Sequence, residues 1–429
     1  MSIEVLIFGS LAICLAMGIP IFISIGIATV VVMILKTPIP LMTVAQVMYT
    51  GADNFPLLAI PCFILAGYLM EYGGITDYII DIVKSLTGRM TGGLGVTTIL
   101  ACMFFSCMSG SGPATTAAVG ALMIPAMLNL NYDRGYAGAV ASSGGTLGIL
   151  IPPSNPMIIY GVIANVSIAG LFMGGFLPGF IIGGAHCLVA YLVARHMKFR
   201  GVEGKFNLRD FLLLCWKGRY SLGAPVLILG GIYTGIFTPV EAAVVAVVYA
   251  FIIGLFINRK LNLANLFKAM SKTNHVTGSL IIIISTSTLF GRVLTMYDVP
   301  NHVANTIAQV STDWFIVLLL IIGALLVIGT FMETLSTIII LTPILLPTLM
   351  RLGVDPLHFG IIFVITNEVA FLTPPVGVNL FVASKMANVS LEQLSWHVTP
   401  HIIAIVLCLI VIARYPWISL VLPKFFGLY

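Results

Sequence analysis

Apolar runs of about 20 residues follow one another along almost the whole chain, and each is long enough to span a bilayer core about 30 Å thick. Of the 429 residues 59% are hydrophobic and only 8% are charged, against roughly 25% charged in soluble proteins. Within a bilayer every backbone polar group needs an internal partner, so only helices or a closed barrel can span it. Barrel strands alternate polar and apolar residues. These runs do not alternate, and 42 Gly and 22 Pro point to helices with breaks. The expectation is an all-α integral membrane protein. Met1-Ser2-Ile3-Glu4 has no basic n-region and no small-residue cleavage site, so 3–35 reads as retained membrane helix. The seven cysteines form no CxxC pair and no metal-ligand spacing, and read as small buried apolar residues.

The runs cover 3–35, 55–72, 94–128, 133–168, 172–194, 222–258, 276–297, 314–350, 356–386 and 397–421. The chain also repeats itself. Pro125, Asp133, Gly138, Pro152 and Pro153 recur in one register as Pro347, Asp355, Gly360, Pro374 and Pro375. Ala164-Asn165-Val166-Ser167 recurs as Ala387-Asn388-Val389-Ser390, one residue further on. The pattern implies an internal duplication in which Ser111 stands opposite Glu333. Lys and Arg cluster between 195 and 219 and again between 259 and 272, which places both loops in the cytoplasm. The run 222–258 must then cross twice, turning near Thr238-Pro239, and by analogy 3–35 turns near Pro20. Five crossings per half would invert the second half.

Two runs read as re-entrant helical hairpins. In 94–128, arms of about 15 residues reach about 22 Å, short of a crossing. They meet at Ser109-Gly110-Ser111-Gly112-Pro113. The partner 314–350 has its tip at Thr330–Ser336. Two further runs are broken helices: Pro152-Pro153 interrupts 133–168 and Pro374-Pro375 interrupts 356–386. Adjacent prolines remove two helix donors and push the preceding residues out of the α region. The freed carbonyls suit a cation, and the new helix starts suit an anion. Matched breaks in two inverted halves mark the central site of a transporter. A hard cation such as Na+ takes oxygen ligands. The candidates are Ser106, Ser109, Gly144, Gly145 and Gly148 in the first half, and Gly329, Thr330, Thr334, Thr366 and Thr373 in the second. Glu333, the one acid in its hairpin, is a functional candidate because a carboxylate at that depth is costly. Arg292 ends the run 276–297; it either meets an anionic group of the substrate or pairs with Asp298.

Enzyme chemistry finds no support. There is no HExxH and no Gly-Lys-Ser/Thr phosphate loop, and Gly110-Ser111-Gly112 is not a nucleophile elbow. His397 and His401 share a helix face but have no evident acid partner.

With these residues in view, the chain resembles the large membrane (M, DctM-type) subunit of tripartite ATP-independent periplasmic (TRAP) transporters. The match lies in Ser109–Thr116, Gly148–Ser154, Thr373–Asn379 and Phe55–Pro61 and extends over essentially the whole chain. The resemblance implies an inverted-repeat elevator coupled to Na+. It also implies a small four-helix Q subunit, here expected as a separate chain, and a periplasmic binding protein P that delivers an organic acid. On that plan 1–91 is first-half scaffold and arm helix, and 92–168 is the first half of the transport domain. Residues 169–221 supply a scaffold helix and a basic cytoplasmic linker, and 222–312 the second-half scaffold and arm helix. Residues 313–387 are the second half of the transport domain, and 388–429 the C-terminal helix. Ser109, Ser111, Ser154, Asn155, Glu333 and Arg292 become the implied substrate contacts. Glu333 would repel a dianion, which favours sialic acid over a C4-dicarboxylate. The location implied is the bacterial inner membrane, with no organic cofactor. The alternative is a stand-alone Na+/dicarboxylate or anion transporter of similar architecture.

Overall fold

The computed structural model describes residues 3–36, 40, 42–202, 207–300, 302, 311 and 313–429. Among these there is helix and no strand. In chain order, the first half runs α1 (Ile3–Ala16), α2 (Ile21–Lys36), α3 (Met42–Ala52), α4 (Ala59–Tyr72) and α5 (Ile75–Thr87). It continues with α6 (Gly93–Ser109), α7 (Gly112–Asn129), α8 (Arg134–Thr146), α9 (Asn155–Ala164) and α10 (Ile168–His196). After α11 (Leu208–Lys217) come α12 (Arg219–Tyr233), α13 (Pro239–Ile252) and the 34-residue α14 (Leu263–Met296). The chain then forms α15 (Trp314–Gly329), α16 (Thr334–Arg351), α17 (Pro356–Phe371), α18 (Val378–Ala387), α19 (Leu391–Arg414) and α20 (Trp417–Phe425).

Local chemistry sets these boundaries. Gly18, at φ +74°, and Pro20 separate α1 from α2, which pack against each other. Thr238 caps α13 through a capping box with Glu241, and Pro239 begins the helix. The duplication is visible cap by cap. Asp133 and Asp355 cap α8 and α17 with their carboxylates. Asn165 and Asn388 end α9 and α18 in the left-handed region, at φ 54° and 53°. Ser167 and Ser390 then start α10 and α19. Pro152-Pro153 and Pro374-Pro375 are both cis. Ser111 and Glu333 are the N-caps of α7 and α16, each 18 residues long. The two halves interlock: α8 packs on α18 and α19, and α16 packs on α9.

Several boundaries differ from those read in the sequence. The run 276–297 is the end of a helix that starts at Leu263, inside what reads as a basic loop, because Lys268 and Lys272 interrupt the hydropathy but not the helix. The run 397–421 is two helices, parted at Tyr415-Pro416. The hairpin arms have 17 and 18 residues in the first hairpin and 16 and 18 in the second, rather than about 15. Among the described residues six helices are long and apolar enough to cross a membrane, or seven if the pair α11–α12, bent by 62°, counts as one span. His397 does have an acid beside it: Asp133 Oδ1 lies 3.2 Å from its Nε2. His401 points elsewhere, into the core, where its Nδ1 is 3.0 Å from His186 Nδ1 on α10.

Candidate functional site

Both hairpin tips and both helix breaks open onto one cavity of about 430 Å³. Ser109 to Ala114 line it from the first hairpin and Glu333 to Ser336 from the second. Ile149, Asn155 and Pro156 come from the first break, Phe371 and Val378 from the second. The facing wall is built from α4 (Ile64, Gly67, Tyr68) and α14, with His275, Val276 and Ser279 among its residues.

Four helices therefore start at the cavity: α7 at Gly112, α9 at Asn155, α16 at Thr334 and α18 at Val378. Each N-terminus carries a partial positive charge of roughly +0.5, although several of the first N–H groups already have partners: Asn155 and Met157 on α9, and Leu335 and Ser336 on α16. No Lys or Arg is among the described residues that line the cavity. The positive potential that an anion meets there comes from helix ends.

The first tip is held by a compact oxygen network. Gly110 adopts φ +61°, which lets the chain reverse between α6 and α7. Ser109 Oγ lies 2.7 Å from Thr115 Oγ1, and the Thr115 hydroxyl donates to the Ser111 carbonyl at 2.9 Å. The Asn155 N–H donates to the Gly110 carbonyl at 3.4 Å and so ties the tip to the first break. Gly148 is pressed against the same network: a Cβ there would lie 2.6 Å from both Ser111 O and Thr115 Oγ1. Asn155 Oδ1 is buried without a partner, and an orphaned oxygen of that kind is costly unless something fills the role. Ser154 is spent on local structure, donating to Ile149 O at 2.5 Å and capping α9.

The second tip follows the same plan with a different cap. The Val376 N–H donates to the Thr330 carbonyl at 3.2 Å and ties this tip to the second break. Glu333 Oε2 accepts from Leu335 N at 3.1 Å, Ser336 N at 3.2 Å and Ser336 Oγ at 3.3 Å. The residue is exposed to the cavity, yet one carboxylate oxygen is committed to capping α16. Thr334 Oγ1 is buried there without a partner.

Other sequence-derived candidates sit apart. The hydroxyls of Ser106, Thr330, Thr366 and Thr373 each bond a carbonyl three or four residues back, the usual state of such residues in membrane helices. Gly144 and Gly145 pack against Cys102 and Thr116, and Gly329 against Ala370. Arg292 is exposed on α14, roughly 25 Å along the helix from His275, and does not line the cavity. Thr115, Tyr68 and His275 are at the site and were not read from the sequence. Thr115 lies in the hairpin motif itself, and its helical spacing from Ser111 was the available signal.

Residues 8–418 match the family model of the tripartite ATP-independent periplasmic transporter, DctM component. The isethionate TRAP transporter permease protein DctMQ of Oleidesulfovibrio alaskensis is 42% identical over 95% of this chain, which spans 64% of that relative's length. The C4-dicarboxylate large permease protein DctM of Pseudomonas aeruginosa is 36% identical over 94% of this chain and 95% of its own. The sialic acid large permease protein SiaM of Vibrio cholerae is 34% identical over 98% of each. Among solved structures, the YdaH transporter of Alcanivorax borkumensis superposes with a TM-score of 0.66 at 15% identity, over 88% of this chain and 87% of its own.

Proposed function

This chain belongs to the DctM-component family of tripartite ATP-independent periplasmic transporters, and from that premise we propose that it is the large membrane subunit of a Na+-coupled importer of an organic acid in the bacterial inner membrane. The observation that carries the reading is the convergence of two hairpin tips and four helix N-termini on one cavity without Lys or Arg. Carbonyls and hydroxyls around Ser109, Gly110, Ser111, Thr115 and Asn155 are the proposed Na+ ligands of the first half. Thr334, the Thr330 carbonyl and the second break supply the other half. The acid group of the substrate sits at the helix starts, with its hydroxyls near Glu333 and Ser336.

In this reading α6–α9 and α15–α18 form the mobile transport domain, re-entrant at both hairpins. The scaffold consists of α4, α10, α12–α14 and α19, and the mobile unit slides past it as an elevator. A binding protein P and a small membrane subunit Q complete the system. A single carboxylate, with no Lys or Arg among the described residues that line the cavity, favours a monoanion bearing hydroxyls. That description fits sialic acid and isethionate, named for two of the relatives, better than a C4-dicarboxylate.

The test is uptake of a panel of such acids into liposomes holding this chain with its Q and P partners. Uptake is expected with a Na+ gradient and not with K+ in its place. Uptake by the lone chain would refute the tripartite reading, and uptake indifferent to Na+ would refute the coupling.

A further inference from the structure

The cavity wall opposite the tips carries a full positive charge at its rim. His275 lines the cavity and is exposed to it. Lys272 stands three residues earlier on α14, so the two side chains share a helix face. The Lys272 ammonium lies 5.1 Å from the centre of the Tyr68 ring and 5.2 Å from that of Tyr72. Tyr68 itself lines the cavity. Glu71 lies between these two tyrosines on α4, and its charge acts on the same ammonium. This corner is braced from outside, where Asn258 Nδ2 donates to Gly73 O at 2.8 Å and Lys260 pairs with Asp77 at 2.5 Å. An ammonium seated over two ring faces is held in place while remaining exposed. An anion leaving the helix N-termini toward this rim exchanges partial charges for a whole one.

We propose that Lys272 and His275 form an anion-holding station on the scaffold wall, where the carboxylate or sulfonate of the transported acid rests on its way between the hairpin tips and the α4–α14 rim. The passenger's identity rests on the transport reading above; the charge preference of the station does not. Glu71 opposes the station and Lys272 creates it, so the two residues have opposite signs of effect.

The experiment introduces a thiol with His275→Cys and compares modification by an anionic and a cationic methanethiosulfonate reagent. Peptide mass spectrometry separates this thiol from the seven native cysteines. Adding Lys272→Gln is expected to lower the anion-to-cation rate ratio by about threefold to tenfold, the effect of one unit charge a few ångströms away in partly screened surroundings. Lys272→Arg should preserve the ratio and Glu71→Gln should raise it. All variants must elute from a sizing column as the native protein does. A ratio indifferent to Lys272→Gln overturns the proposal. So does a fall in both Lys272→Gln and Glu71→Gln, which would mark the pair as a structural latch. In the complete complex, an acid that shows Na+-dependent uptake should slow modification of the introduced thiol. An acid that is transported yet gives no protection overturns the station while leaving the transport reading intact. A ratio that behaves as expected when no acid is taken up supports the station and refutes the transport reading.

Discussion

Gly148→Ala is the smallest change that tests whether the first tip depends on the close approach of the broken helix. The added methyl would meet Ser111 O and Thr115 Oγ1 at 2.6 Å and the Ser111 carbonyl carbon at 2.8 Å. Gly148 has ordinary negative φ, so alanine brings no backbone strain and the effect is one of space alone. Carbon contacts relax to about 3.5–4.0 Å, so the tip must retreat by on the order of 1 Å. Two of the three clashing atoms belong to the backbone of Ser111, the helix cap, and cannot rotate away. Overpacking of this kind costs about 1–3 kcal/mol, which leaves the protein folded with a melting temperature a few degrees lower. The larger consequence, given the Na+ role proposed for this network, is on ion affinity. An interaction between a dipole and a charge contributes about 1.5–3 kcal/mol, so displacing the Ser111 carbonyl raises half-saturating Na+ by about tenfold or more. The assay is uptake by the tripartite complex in liposomes across a Na+ series. Gly184→Ala serves as control, since a Cβ there meets nothing within 4 Å. A Gly148→Ala protein with native half-saturating Na+ would refute the assignment of this network to the ion.

Three further perturbations follow from the geometry. Glu333→Ala removes the cap of α16 and should cost about 0.5–2 kcal/mol, read as a lower melting temperature together with lost uptake. Glu333→Gln keeps a capping oxygen, so it should melt near the native temperature yet take up substrate poorly; native uptake by this variant would remove the carboxylate's charge from the mechanism. Ser111→Trp fills the space between the tips and should abolish uptake in a protein that still elutes as native, and measurable substrate transport would contradict that placement. Arg292→Ala changes a side chain outside the cavity, so the KM for uptake should stay within about twofold of native, less than 0.5 kcal/mol.

The elements most readable in the sequence were those punctuated by Gly and Pro. Ser109–Pro113 and the two Pro-Pro pairs locate the tips and breaks because no continuous helix tolerates them, and their repetition fixes the pairing of the halves. The scaffold wall was harder. His275 lies in a stretch that reads as the end of a basic loop, since Lys268 and Lys272 lower its hydropathy. Helix periodicity there is masked by polar residues that face the cavity rather than bulk water. The capping role of Glu333 was hidden for a different reason. Ser, Thr, Asp and Asn dominate N-caps, so a Glu flanked by apolar residues reads as a ligand first. Arg292 shows the reverse error: a lone cation in an apolar run suggests a site, but position along a straight helix is what sets its distance from the cavity.

The interlocking of the halves also bears on how the protein is made. Asn379 on α18 donates to the Ser142 carbonyl on α8 at 3.2 Å, a bond across 237 residues of chain. Until α18 emerges, the Ser142 carbonyl lacks this partner and the faces of α8 that α18 and α19 pack on stay open, although its own half has already entered the membrane. At about 5–20 residues per second, synthesis leaves that interval on the order of ten seconds or longer. The nascent first half must wait as an incomplete assembly, shielded by lipid or by the insertion machinery. Nonsense or frameshift truncations after α10 would therefore leave the α8 surface without the second-half helices that pack on it, and be recognised as defective before any question of transport arises.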